Sequence, residues 1–165
     1  MKKYLFILIF SVISYLSFGQ SSKLSITEID SIAKRIDTTC ISAGITDYTL
    51  KSMNKKTRKT INGGGADWYY TDTTGKLIKV IREIILDTEN FDTYYFYNDT
   101  LIYLKITNVT YNGNNKIVNC SQECYFQGDK LVLRQDNLKI SFSPKNYIET
   151  AREFFVGNQL WKKEF

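Results

Sequence analysis

Hydrophobic positions change their spacing three times along this chain. From Tyr4 to Leu16 the residues are apolar with only Ser11 and Ser14 between them. From Ile26 to Cys40 the apolar residues Ile26, Ile29, Ile32, Ile36 and Cys40 recur at helical intervals, and Ser25-Ile26-Thr27-Glu28 in front of them has the form of a capping box. A helix is therefore predicted over 26–40. Segments rich in β-branched and aromatic residues follow, near Ala66–Thr71, Lys76–Leu86, Phe91–Tyr97, Leu101–Tyr111, Lys116–Gln127 and Lys130–Gln135, with Ile45–Leu50 a further short candidate. Asn98-Asp99 and Gly128-Asp129 read as two-residue hairpin turns, so neighbouring strands are antiparallel. Ser143-Pro144 opens a last helix, with Ser as N-cap and Pro at the first helical position, and Ile148, Ala151 and Phe155 give it an apolar face up to about Gly157. The pattern predicts an α+β domain: an antiparallel meander of about six strands with the N-terminal and C-terminal helices on one face. Leu101–Tyr111 carries apolar groups on both sides, which points to a strongly curved or partly closed sheet.

The first apolar stretch is of a different kind. Lys2-Lys3, the run to Leu16, and Ser17-Phe18-Gly19 form a basic, a hydrophobic and a small-x-small region, the layout of a cleaved signal peptide over 1–19. The run is shorter than the roughly 20 apolar residues of a membrane span, and polar Gln20-Ser21-Ser22-Lys23 follows it. The expected product is a single domain over 20–165 in the periplasm, on the cell surface or outside the cell, with no stable span. No Cys stands at the cleavage point to take a lipid anchor. Loss of Lys2 and Lys3 leaves 20 basic residues against 17 acidic ones, a balance too even to indicate a partner.

Candidate chemistry is sparse. The chain has no His, which removes Ser-His and Cys-His nucleophilic schemes and the commonest metal ligand. No metal or cofactor site is expected, and no catalytic motif is present. Asp87, Glu89 and Asp92 read as a solvated hairpin loop, and Gly63-Gly64-Gly65 as a flexible turn, since no Lys-Ser/Thr pair follows as a phosphate loop requires. Cys40, Cys120 and Cys124 would meet an oxidising compartment. Cys120 and Cys124, about 13 Å apart on one extended strand, can pair only across a bulge or turn, while Cys40 could meet either. The basic run Lys51, Lys55, Lys56, Arg58 and Lys59 suits an anionic headgroup or polysaccharide, and for an exported protein nucleic acid is set aside. Aromatic residues are the better lead. Trp68, Tyr70, Tyr95, Tyr97 and Tyr103 fall on neighbouring strands, and rings on a face left open by the helices would stack on sugars or anchor a partner.

A hairpin pattern recurs: Tyr69-Tyr70 before Gly75-Lys76-Leu77-Ile78, Tyr95-Phe96-Tyr97 before Leu101-Ile102, and Tyr125-Phe126 before Gly128-Asp129-Lys130-Leu131-Val132. With Gly63-Gly64-Gly65-Ala66 ahead of the first aromatic strand, the stretch from about Ile61 to Phe155 resembles a family of small exported proteins of Gram-negative bacteria built from aromatic-turn-Gly-Lys-Leu-Ile hairpins and a C-terminal helix. The resemblance implies export and this fold, and no activity. The sequence thus reads as an exported non-enzymatic binding module whose partner is an envelope or host glycan or a protein. The alternative reading is a secreted inhibitor or immunity-type protein that blocks an enzyme with a protruding loop over Asn54–Gly65.

Overall fold

The computed structural model describes residues 23–53, 58–86, 88–112, 115–136 and 142–164. Residues 1–19, read above as a signal peptide, and Lys55, Lys56 and Asp87 lie outside the described residues. Helix α1 (Ile26–Thr39) leads into strands β1 (Ile41–Met53), β2 (Thr60–Thr71), β3 (Leu77–Ile85), β4 (Glu89–Tyr97), β5 (Thr100–Asn112), β6 (Asn115–Gln127) and β7 (Lys130–Asp136), and helix α2 (Pro144–Glu164) closes the order. All strands pair antiparallel with their chain neighbours in one sheet whose edges are β1 and β7. The α+β meander is as expected, with seven strands among the described residues in place of about six. The added strand is β1, which runs well beyond Ile45–Leu50.

Local signals act as read. The Ser25 backbone N–H donates to Glu28 Oε2 at 2.7 Å and the Glu28 N–H to Ser25 Oγ at 3.3 Å, so the capping box satisfies the first turn of α1. Helix α2 starts at Pro144 and continues through Gly157, whose missing Cβ would sit 3.6 Å from the Tyr69 hydroxyl.

The three recurring hairpins share one device. Asn98 and Asp99 both take positive φ, as a two-residue turn requires, while Asp72 Oδ1 accepts from the Thr74 and Lys76 N–H groups around the turn that ends in left-handed Gly75. After each turn one residue of the returning strand has no partner: Ile78 between Leu77 and Lys79, Ile102 between Leu101 and Tyr103, Val132 between Leu131 and Leu133. Each is a β-bulge, which turns the leading leucine to one face and the next two residues to the other.

The expectation that both helices lie on one face is wrong. Tyr94 and Phe96 pack with Leu77, Val80, Leu101, Leu104, Phe126 and α2 residues Ile148, Ala151 and Phe154. Tyr95, between them in sequence, packs with Ile102, Tyr103, Tyr125 and α1 residues Ile29, Ala33 and Ile36. Successive strand side chains point to opposite sides, so α1 and α2 cover opposite faces. The two-sided apolar pattern that suggested closure is met by a helix on each side of an open sheet.

The Gly63-Gly64-Gly65 stretch is also corrected: it lies within β2. A Cβ on Gly65 would come 2.5 Å from the Tyr48 ring and one on Gly63 2.1 Å from the Ile85 carbonyl oxygen. These glycines admit close neighbours and do not form a turn.

A core on each face makes a direct prediction. Ile29→Ala beneath α1 and Phe154→Ala beneath α2 should each lower stability by about 2–5 kcal/mol in urea unfolding. Val156→Ala, at an exposed position, should change it by less than about 0.5 kcal/mol. An unchanged midpoint for either core variant contradicts the two-sided core.

Candidate functional site

On the α1 face, three tyrosines from adjacent strands stand side by side. Tyr95 and Tyr103 have ring centroids 5.3 Å apart, and Tyr103 and Tyr125 5.0 Å. Helix α1 lies across them and meets their polar ends: the Tyr95 hydroxyl donates to Asp37 at 3.1 Å and the Tyr125 hydroxyl to Asp30 at 2.9 Å. Lys79 also reaches Asp37, at 2.6 Å, with its ammonium 5.2 Å from the Tyr70 ring centroid. Burial and then the Asp37 charge and hydrogen bond raise the Tyr95 hydroxyl above its usual range; burial and then Glu123 do the same for Tyr103. These rings are the seat of the helix, so Tyr95 and Tyr103 offer no open surface. Tyr70 is half-buried beside Lys79, and Tyr97 is exposed at the hairpin end.

Trp68 is placed differently. One row further along the same face the register aligns Ile45, Trp68, Ile81, Thr93, Lys105, Glu123 and Gln135, and the next row holds Ala66, Glu83, Phe91, Thr107 and Ser121. Helix α1 packs on β4 and β5 around the tyrosines. Trp68, Ile81, Glu83, Phe91 and Thr107 stay half-buried and Ile45 and Lys105 exposed. This part of the face is accessible and mixes apolar, aromatic and hydrogen-bonding groups. Burial and the adjoining Glu89 carboxyl, through a hydrogen bond and its charge, raise the Glu83 carboxyl, with a hydrogen bond from Trp68 opposing them. Glu89 Oε2 is buried with no hydrogen-bond partner among the described residues.

The α2 face carries a second polar row, Asp67, Arg82, Asp92, Ile106, Gln122 and Asp136, again aligned strand by strand. Arg82 donates from Nε and Nη2 to the two Asp67 oxygens at 2.8 and 2.9 Å, beneath the Phe154 ring 4.7 Å away. Near the other end Arg134 pairs with Asp136 at 2.6 Å and lies 5.0 Å from the Phe142 ring, and buried Gln122 turns its amide oxygen to Arg134. Burial works against the Arg82 charge, but the Asp67 bonds outweigh it and hold the guanidinium protonated. Asp92 has no hydrogen-bond partner among the described residues. Burial pushes its carboxyl up to about 6, with Arg82 opposing and Asp67 adding. Glu89 and Asp92 are therefore strand residues set into the sheet, which corrects their reading as a solvated loop.

The remaining sequence candidates separate. Arg58 is exposed in the β1–β2 connection with φ of 54°, and because Thr60–Gly65 belong to β2 the protruding loop is shorter than the predicted Asn54–Gly65. Cys40 and Cys124 are both free. Cys40 packs on the α1 side and Cys124 in the core on the α2 side, its thiol pushed by burial up to about 11, so the sheet lies between them. Cys120 and Cys124 lie on an unbroken stretch of the β5–β6 ladder, about 13 Å apart, beyond disulfide reach. A cleft of about 240 Å³ opens where the Asp99 and Gly128-Asp129 turns meet Arg152 of α2, below the usual size of a small-molecule site. No cluster of metal-ligating side chains occurs among the described residues, and no described helix is long and apolar enough to cross a membrane.

Sequence reasoning missed the Asp67–Arg82–Asp92 row. Its signal was an acid or base on each of three strands at equal distance from the hairpin turns, which only a known register turns into a contact.

The raised Asp92 carboxyl has a consequence for stability. Its proton is held more tightly in the folded state, so the chain loses stability as pH rises from about 4 to about 6. Asp92→Asn should therefore stabilise the protein by about 1–3 kcal/mol at pH 7.5 and leave it unchanged near pH 3.5, read by urea unfolding at both values. An Asn variant less stable at pH 7.5 would show that the carboxylate is compensated in the fold. Comparison with protein-family models, curated proteins and solved structures finds no match to this chain.

Proposed function

We propose that this chain is an exported, non-enzymatic binding module that takes a carbohydrate ligand on the part of the α1 face left open beside the helix, with Trp68 as its platform. The observation that carries the reading is the half-buried Trp68, set in a row between apolar Ile45 and Ile81, with Glu83 in the next row and Thr93, Lys105 and Thr107 further across the same face on β4 and β5. An indole presents a broad apolar face to the C–H groups of a sugar ring. Carboxylate, hydroxyl and ammonium groups around it supply the acceptors and donors that sugar hydroxyls need. The indole N–H bond to Glu83 supports the ring's orientation.

Binding rather than catalysis is the reading because the sequence has no His and no catalytic motif. The Glu83 carboxyl, raised by burial and the adjoining Glu89, supplies a hydrogen-bonding group beside Trp68. Export is supported by Lys2-Lys3, the apolar run to Leu16 and Ser17-Phe18-Gly19. The chain's resemblance to the exported hairpin family agrees with that reading.

The test is a fluorescence titration of the Trp161→Phe protein, in which Trp68 is the remaining indole, against a set of envelope and host polysaccharides. Saturable quenching is expected. Trp68→Ala, followed by calorimetry, should weaken binding at least about tenfold. Tyr97→Ala, on β4 and about 13 Å along the strand from the Trp68 row, should leave it unchanged. Equal affinity for the Trp68→Ala and native proteins, or no response to any glycan, would remove the basis of the proposal.

A further inference from the structure

We infer that the outer edge of β1 is an interface for a second copy of the chain, joined as an antiparallel β1–β1 pair about a two-fold axis at Thr49. Strand β1 has 13 residues, nearly all exposed, and pairs on its inner side with β2 in unbroken register from Gly44 to Met53. A regular inner ladder leaves an equally regular set of N–H and C=O groups on the outer side. From Gly44 to Met53, beyond the bulge between Ser42 and Gly44, the edge has no proline and no further irregularity, and the main packing of the two helices falls on β3, β4 and β5. The other edge, β7, has seven residues including Lys130, Arg134 and Asp136.

Charge selects the occupant and the register. Between Ile41 and Met53 the strand has one acid, Asp47, and one base, Lys51, and neither has an ion-pair partner among the described residues. A two-fold axis perpendicular to the sheet keeps each face of one copy level with the same face of the other, so opposed residues differ by an even number of positions. Among axes at residues 46 to 50, the one at Thr49 sets Asp47 of each copy opposite Lys51 of the other. An axis at Asp47 would set the two carboxylates opposite each other, where like charges repel. The Thr49 register also aligns Ile45 with Met53 of the other copy, 41% and 65% exposed in the single chain, and half-buried Tyr48 with Leu50. Every pairing except that of Thr49 with its own counterpart on the axis occurs twice, as an isologous interface demands. Ile45 neighbours Trp68, so the joined sheet carries the open rows of both copies on one continuous face.

Sedimentation velocity on the purified protein over a concentration series up to the submillimolar range should show a monomer–dimer equilibrium. Asp47→Lys places a lysine opposite Lys51 at both ends and should weaken dimerisation about tenfold or more, and the double exchange Asp47→Lys/Lys51→Asp should restore it. Thr49→Cys gives a covalent check. Opposed Cα atoms at the axis are about 4.5–5.5 Å apart, within disulfide range, so mild oxidation should produce a dimer linked through position 49. Ser52→Cys, about 20 Å from its counterpart, should not link. Circular dichroism confirms that each variant is folded. A monomer at all concentrations overturns the inference. So does a dimer that tolerates Asp47→Lys and yields no link from Thr49→Cys, since it would use another surface.

Discussion

Tyr94, Tyr95 and Phe96 follow one another on β4, and a strand must send the middle ring to the side opposite the other two. All three are buried. Water must therefore be excluded from both faces of the sheet at the same level, which one layer of helix cannot do. The bulges extend the constraint to the returning strands: Leu77, Leu101 and Leu131 join one core, and Ile78, Ile102 and Leu133 the other. The position of each helix, the reach of each core and the surface left for function all depend on this division of neighbouring side chains.

The two faces meet the polar requirement in different ways. Under α1 the Tyr95 and Tyr125 hydroxyls bond to Asp37 and Asp30 of the helix, two turns apart, while that of Tyr103 between them bonds to Glu123 on β6. The contact is apolar through the rings and hydrogen-bonded at their tips, which orients the helix as well as holding it. Under α2 the first two rows are mainly apolar side chains and buried rings, with Arg134 on β7 among them, and the third row is polar. Arg82 and Arg134 lie beneath Phe154 and Phe142, each paired with an aspartate of the third row. A guanidinium stacks on an aromatic ring and bonds in its own plane, so it can end an apolar core without an unpaired donor. Asp92 is the exception in this row, an acid placed by strand register beside an arginine whose bonds go to Asp67.

What remains accessible is set by the course of α1. It runs along the row of tyrosines, from Tyr125 on β6 to Tyr95 on β4, and leaves the rows through Trp68 and Phe91 beside it, while neither helix has its main packing on β1. The binding surface and the self-pairing edge inferred above are adjacent for that reason, and Ile45 belongs to both. An interface along β1 would double the ligand surface without changing either site, an arrangement that raises avidity for a repeating polymer.

Much of the fold was legible in the chain itself. The capping box at Ser25, the Ser143-Pro144 helix start, the two-residue turns and the antiparallel order are each set by residues within a few positions of one another, so local chemistry suffices to specify them. The recurrence of aromatic-turn-leucine hairpins was visible as well, although not the bulges that make it useful. Glycines 63–65, read as a turn, proved to be strand residues because the Tyr48 ring and the Ile85 carbonyl approach them from adjacent strands. Tyr95 and Tyr103, read as ligand-facing, proved to be the seat of α1, whereas Trp68 stayed accessible. Nothing in the residues themselves distinguishes these rings, since all lie on alternating aromatic strands. By itself the sequence determined both helices, the hairpin turns and most of the strands, and that both faces of the sheet would be apolar near the hairpins. Only the tertiary structure decided which helix covers which face, which acid meets which arginine and where the cover ends, because those contacts join residues brought together by strand register and helix docking.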